Sequence, residues 1–278
     1  VRILFLGDVV GKAGRDAVAQ YLPVLQNDYS PNFIIVNGEN TAHGFGILPQ
    51  HCEDFFAQGV DVITLGNHSF DKPQIVDYIA KEKKLLRPCN YITEHGEPFG
   101  IYSKNNFKIM VVNLLGKVFM HSKISYSDPF LAMEAILKDY TLQDNVDAIF
   151  VDFHAETSSE KMAMGHFLDG KVTAVIGTHS HIPTADSRIL VKGTGYQTDV
   201  GMCGDYNSII GMSYATSMNK FVNNEDGMKK KAFEPSNGAG DVACVVVDID
   251  TSTGLCYSVL RMVLGNVFKQ GNKNDANI

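Results

Sequence analysis

No apolar run in the 278-residue chain reaches the roughly 18–20 residues that a helix needs to span a bilayer, so a membrane role is not expected. There is no Cys-x-x-Cys pair: Cys52, Cys89, Cys203, Cys244 and Cys256 are odd in number and scattered, which argues against a disulfide framework and for a reducing compartment. Basic residues are in short supply, 24 against 31 acidic ones, for a formal net charge of −7. Such a chain has no broad cationic face with which to displace counterions from duplex nucleic acid. Internal repeats and low-complexity tracts are also missing. The chain opens on a strand-like run rather than a signal peptide, and the cytoplasm is the expected location.

What is present is ordinary globular composition, 45% hydrophobic and 20% charged, in a length suited to one large α/β domain. Strand and helix patterns alternate from the start: strand near 2–7, helix 14–28, strand 32–37, helix 49–58, strand 61–66, helix 73–83. This predicts βαβ units with parallel strands. Residues 98–103 and 107–115 around Lys104-Asn105-Asn106 predict a hairpin, as do 241–249 and 256–264 around Thr251–Gly254. Helices near 128–139 and 156–168 flank a strand at 146–152, and a further strand covers 172–177. Residues 202–240 differ in texture, with Gly201, Gly204 and Gly211, a helix at 214–223, and the polar run Asn223–Lys231. They read as an insertion, either a cap over the site or a contact between copies in a homo-oligomer. The tail from Gln270 to Asn277 is polar and expected to fray.

Residues able to bind metal or move protons recur at the ends of the strand-like runs: Asp8, Glu39, Asn40, Asn67, His68, His154, His179 and His181. In open α/β sheets ligands collect outside the carboxyl ends of strands, so this repetition points to one metal site. Asp8, Glu39, Asn67, His154, His179 and His181 are the donor types that two neighbouring ions require, a pair that can clamp the attacking and leaving oxygens of a phosphoryl displacement. On an extended backbone His179 and His181, at i and i+2, would share a face. Bland readings exist for each residue alone: a turn or cap for Asp8, a backbone-bonding turn for Asn40, a core histidine for His154. The segment Gly7–Gly14 lacks the spacing and hydroxyl of a nucleotide P-loop. Lys229–Lys231 reads as a solvated face.

The ordered set Gly7-Asp8, Gly38-Glu39-Asn40, Gly66-Asn67-His68, His154 and Gly177-Thr-His179-Ser-His181 resembles the five motifs of the calcineurin-like metallophosphoesterases. Within them, Asn37–Ala42, Thr64–Asp71, Asp152-Phe-His-Ala-Glu156 and Gly201-Met-Cys-Gly204 resemble the bacterial YmdB-like branch over nearly the whole chain. The resemblance implies a four-layer α/β/β/α sandwich of two mixed sheets, residues 1–278 forming a single domain. It also implies a dinuclear-metal phosphodiesterase acting on cyclic nucleotides of the 2′,3′- or 3′,5′-cyclic AMP kind, by attack of a metal-bridging hydroxide. Two departures stand out: Val10 where the superfamily has His, and Glu39-Asn40 where it has a bridging Asp. On that pattern one ion takes Asp8, Glu39, Asn40 and His181, the other Glu39, Asn67, His154 and His179. An oxygen-rich set suits iron or manganese at least as well as zinc. By resemblance His68 faces the substrate as general acid, with Asp71 orienting its ring; an imidazole, of intrinsic pKa about 6.5, is readily protonated beside phosphate. His43 and Thr41, in the Gly-rich loop after Glu39, and Arg15, just past the Gly7–Gly14 turn, are expected substrate contacts. Two rival functions use the same residues: a phosphomonoesterase or 5′-nucleotidase, and a metal-bound regulatory or RNA-interacting protein.

Overall fold

The structure, a computed structural model, describes residues 1–222 and 232–268; the polar run 223–231 and the chain from Lys269 onward, with the tail expected to fray, lie outside the described residues. In chain order, β1 (Arg2–Leu6), β2 (Asp8–Val9), α1 (Gly11–Tyr29), β3 (Phe33–Asn37), α2 (Pro49–Ala57), β4 (Val62–Thr64), α3 (Ile75–Ile79) and β5 (Leu85–Leu86) come first. The hairpin β6 (Phe99–Lys104) and β7 (Phe107–Leu115) follows, then α4 (Pro129–Asp139), β8 (Ala148–His154), α5 (Ser158–Leu168) and β9 (Ala174–Thr178). The order closes with β10 (Arg188–Ile189), β11 (Gly195–Gln197), β12 (Met202–Gly204), α6 (Tyr214–Phe221), β13 (Asp241–Ile249) and β14 (Cys256–Leu264).

These strands form two mixed sheets. The first runs β2-β12-β13-β1-β3-β4-β5, with β14 also paired to β13. Its β1, β3, β4 and β5 are parallel, whereas β13 is antiparallel to both β1 and β14. The second runs β10-β11-β9-β8-β7-β6, with β7, β8, β9 and β11 parallel.

Side-chain alternation explains why both faces of each sheet are covered. In β1, Ile3 and Phe5 face a core shared with Phe150 of β8 and Ile176 of β9, while Leu4 and Leu6 face Val18, Leu22 and Leu25 of α1. Similarly, Ile149 and Val151 of β8 face Met133 of α4 and Met164 of α5. Period-two strands with apolar residues on both faces must be sandwiched, which gives the order helices, sheet, sheet, helices. The four-layer α/β/β/α architecture expected from the resemblance is the one observed.

Two elements depart from expectation. Helix α3 covers only Ile75–Ile79, not 73–83, because the N–H groups of Lys81 and Glu82 both turn back on the Tyr78 carbonyl, and the charged run 81–84 has no apolar residue to bury. Met202–Gly204, the start of the segment expected as an insertion, is a strand of the first sheet, pairing with β2 and β13.

Phe5 and Phe150 join the sheets, their rings tilted at 60° with centroids 5.1 Å apart and both fully buried. Phe150→Ala is predicted to cost about 3–5 kcal/mol of unfolding free energy by urea titration. A loss below about 1 kcal/mol would show that this contact does not hold the sheets together.

Candidate metal centre and its cleft

Five strands deliver the candidate donors at their carboxyl ends. Asp8 follows β1, Glu39 follows β3, Asn67 follows β4, His154 ends β8 and His179 follows β9. The first three strands belong to one sheet and the last two to the other, so the site straddles the sandwich. Beneath it lies a buried carboxylate, Asp152, which accepts from Asn37 Nδ2 at 2.9 Å, Thr64 Oγ1 at 2.5 Å and Thr178 Oγ1 at 2.7 Å. Burial pushes its pKa up to about 6, against the pull of His154 and the two hydroxyls. One side chain thus ties β3, β4 and β9 to β8.

The Asp152 contact also fixes the His154 ring. Thr178 gives its single hydroxyl proton to Asp152, so it accepts from His154 Nδ1 at 2.9 Å. His154 Nε2 is thereby turned toward Glu39 Oε1 at 2.9 Å, His179 Nδ1 at 3.0 Å and Asn67 Oδ1 at 3.1 Å. Glu39, His154 and His179 form a cluster able to hold a metal ion. Burial opposes charge on His154, yet Glu39, Asp8 and Asp152 raise its pKa to about 9. Burial likewise opposes charge on Glu39, but the neighbouring His154, His68 and His179 hold it well below the carboxylate range. Burial and the charge of His154 push His179 down to about 2. A compact group of lone pairs facing one another is the environment a cation stabilises.

Next to this cluster are the remaining expected donors. Asp8 is fully buried; Oδ2 accepts the His179 N–H at 3.1 Å, and Oδ1 is buried with no hydrogen-bond partner. Burial raises its pKa, moderated by His154 and His181. Asn40 donates from Nδ2 to the Gly44 carbonyl at 2.9 Å, which forces its Oδ1 the other way, and that oxygen too is buried without a partner. His181 donates from Nδ1 to the Ile210 carbonyl at 2.8 Å, leaving the Nε2 lone pair free. Two orphaned buried oxygens and an oriented imidazole fit a further cation, because such groups are costly to bury unpaired.

The backbone after β9 is not the extended segment expected for His179 and His181. Both sit in the left-handed region, φ +99° and +66°, so the shared face of an extended i, i+2 pair does not arise. The loop is held instead by Asp199, whose Oδ2 accepts the Ser180 N–H at 2.9 Å and the buried Lys161 ammonium at 2.7 Å. Glu156 contacts His179 Nε2 at 2.9 Å. Sequence reasoning missed these supports. Glu156 had a signal, since it closes the Asp152–Glu156 motif; Lys161 and Asp199 had none.

His68 lines the cleft without joining the donor cluster. Its Nδ1 is 2.7 Å from Asp71 Oδ2, whose other oxygen is 2.8 Å from Lys123 Nζ, and Phe45 meets the ring edge-on at 5.0 Å. The expected substrate contacts fare differently. Thr41 is fully buried, its hydroxyl on the Gly38 carbonyl and its own carbonyl bound by Arg15, so these two residues serve the loop and not the cleft. His43 is exposed at φ +58° and is not among the residues lining the cleft. The lining of about 300 Å³ adds residues that no motif marked: Phe45, Ile209, Ile210, Met212, Ser217, Phe221 and Phe233.

A model of the YmdB-like protein family matches residues 4–262. The chain belongs to this family. It is 42% identical over 269 residues to the 2′,3′-cyclic-nucleotide 2′-phosphodiesterase of Bacillus subtilis strain 168, covering 96% of this chain and 98% of that protein. Among solved structures, a hypothetical protein from Thermus thermophilus aligns with a TM-score of 0.86 at 34% identity, over 95% of this chain and 99% of that one. A novel phosphatase from Mycoplasma pneumoniae aligns at 0.87 and 34%, over 95% and 93%. The YmdB-like chain shares the fold of both over almost its whole length.

Gly66 lies against the donors of this YmdB-like centre: a Cβ there would collide with the Glu39 carboxylate and the His154 ring. Gly66→Ala is predicted to reduce bound metal at least tenfold by mass spectrometry of the purified protein, with the fold retained by circular dichroism. Full metal content in that variant would place the ion elsewhere.

Proposed function

We propose that the chain is a two-metal phosphodiesterase acting on cyclic nucleotides. The coarser part of this reading, a metal-dependent hydrolase of phosphoric esters, follows from family membership and the Glu39–His154–His179 cluster. For the finer part, Asp8, Glu39, Asn40 and His181 would hold one ion and Glu39, Asn67, His154 and His179 the other, with Glu39 shared. Iron or manganese suits this oxygen-rich set at least as well as zinc. When bound, such ions supply Lewis-acid stabilisation to the attacking and leaving oxygens of an in-line displacement.

The chain's own residues supply the rest. His68 Nδ1–H donates to Asp71 Oδ2 and Phe45 packs against the ring, so Nε2 is the atom that delivers a proton to the departing alkoxide. Lys123 keeps Asp71 in place. The apolar part of the cleft wall, which includes Ile210 and Met212, limits water around the phosphate.

The observation that favours a diester over a monoester is charge. Among the described residues lining the cleft there is no Lys or Arg, while Glu39 and Glu156 are both present. With Glu39 assigned to the ions, the metals would supply the cationic charge at the phosphate, and the remaining Glu156 carboxylate opposes a phosphomonoester dianion more than a diester, which brings a single negative charge. The substrate named for the Bacillus subtilis relative supports the cyclic-nucleotide class. Among the described residues no helix is long and apolar enough to cross a membrane. The free thiols suit the cytoplasm as the proposed compartment. We further propose that 1–278 is one domain, in which the described residues beyond β12, 205–222 and 232–240, act as a cap.

Bis-p-nitrophenyl phosphate is predicted to turn over faster than p-nitrophenyl phosphate; turnover of the monoester alone would overturn the diesterase reading. His68→Ala is predicted to lower kcat by about 10²–10⁴-fold with metal content unchanged. Loss of the metals in that variant would make His68 a ligand instead of a proton donor.

A further inference from the structure

The donors explain the polar end of the cleft but not its other lining. Phe45, Ile210, Met212, Phe221 and Phe233 give it an apolar wall, and within that wall sits Ser217, 1% exposed. The Ser217 hydroxyl oxygen is shielded from solvent and has no hydrogen-bond partner. A serine inside a helix ordinarily turns its hydroxyl onto the carbonyl four residues back. Here that carbonyl, on Ser213, already accepts the Ser217 N–H at 3.0 Å and the Thr216 hydroxyl at 3.3 Å. The hydroxyl is left over, in a wall that otherwise avoids polar atoms. Ser217 and Phe221 stand at i and i+4 on α6 and therefore share the face that meets the cleft.

This wall is anchored to the metal centre. Ile209 and Met212 exchange two 2.9 Å backbone hydrogen bonds, closing a turn in which Ile210 is held at φ +49°. For a β-branched residue that conformation is strained, and it persists where surrounding structure enforces it. In this turn the Ile210 carbonyl receives His181 Nδ1, and Met212 lies against Gly44, one residue before Phe45. A ligand with its phosphate at the donors would place whatever the phosphate carries against this turn and α6.

We propose that the apolar arm is a nucleobase site, in which the aromatic and aliphatic walls cover the faces of the base and Ser217 Oγ bonds its edge. This rests on the phosphodiesterase reading given above. The chemistry favours a base over an alkyl or acyl group, because a purely apolar occupant would leave the buried hydroxyl unpaired. A hydroxyl both donates and accepts, so the site discriminates weakly between purines and pyrimidines. At about 300 Å³ the cleft lies at the small end of ligand sites, in keeping with a mononucleotide.

The test uses metal-loaded full-length protein and Ser217→Ala, with two esters: 2′,3′-cyclic AMP and the methyl riboside 2′,3′-cyclic phosphate, which has no base. The ratio of kcat/KM for the first to the second is expected to fall about 5–10-fold in the variant, the size of one lost hydrogen bond. Adenosine binding by calorimetry should weaken by the same factor. The Tm of the ligand-free variant should not fall, since an unpaired buried hydroxyl has been removed. A ratio unchanged within twofold, or a parent protein that fails to prefer the base-bearing ester, overturns the base site. If the parent binds adenosine in a Ser217-dependent way yet hydrolyses neither ester, the base site stands and the phosphodiesterase reading falls.

Discussion

One ring nitrogen organises this molecule. Nε2 of His154 is faced within about 3.1 Å by a carboxylate oxygen of Glu39, an amide oxygen of Asn67 and a ring nitrogen of His179, all at the ends of different strands. Donors of this kind repel one another unless protons or a cation lie between them, and burial removes the water that would screen them. Strand order, the glycine beside the cluster and the polar network beneath it can all be understood as means of holding these atoms together. Gly66 has no Cβ because none would fit. Asp152 and Thr178 point the ring, and they do so by linking strands from both sheets.

Holding such a centre costs stability, and the structure shows where that cost is offset. Lys161 and Asp199 form an ion pair almost wholly removed from solvent, an arrangement that an apolar pair of similar size could often match in stability. Its value here is positional: the same carboxylate binds the Ser180 and Gly201 N–H groups and so defines the loop that carries His179 and His181. Left-handed backbone at both histidines is strained for non-glycine residues, and it is tolerated because these contacts over-determine it. The stability comes from the layers above and below, where period-two strands bury both faces.

Sequence pattern was most informative where it is local. Strand ends marked Glu39, His154 and His179, the cluster able to hold a metal, and both hairpins fall within a residue of their expected limits because alternation and short polar turns are chain-local properties. It failed where geometry is set by distant partners. Nothing near His179-Ser-His181 announces that Asp199 will bend this segment out of the extended form. Arg15 and Thr41 looked like substrate contacts because each adjoins its own Gly-rich turn, Gly7–Gly14 for Arg15 and Thr41–Gly46 for Thr41, yet in the fold they bond each other. Helix α3 was overestimated because Pro73 and an apolar stripe resemble a helix start, while the charged run after Ala80 offers nothing for the core. The cleft wall was invisible for another reason: Ile209, Met212 and Ser217 carry no periodic or motif signal, and only the placement of their segment beside the donors gives them a role.

That placement separates chemistry from selectivity within one site. The donors are fixed by strand ends that cannot move without unpacking the sandwich, whereas the wall belongs to residues 205–222 and Phe233, which meet the donor loops through the Ile210 carbonyl on His181 and Met212 on Gly44 and the first sheet through Tyr206 on Met202. Changes in this segment can reshape what the phosphate carries while leaving the donors untouched. Ile210 is the exception, because its side chain belongs to the wall and its carbonyl to the donor side. Its strained φ therefore has a physical reading: relaxing it would withdraw the group that fixes the His181 tautomer, so selectivity can drift around Ile210 more readily than through it.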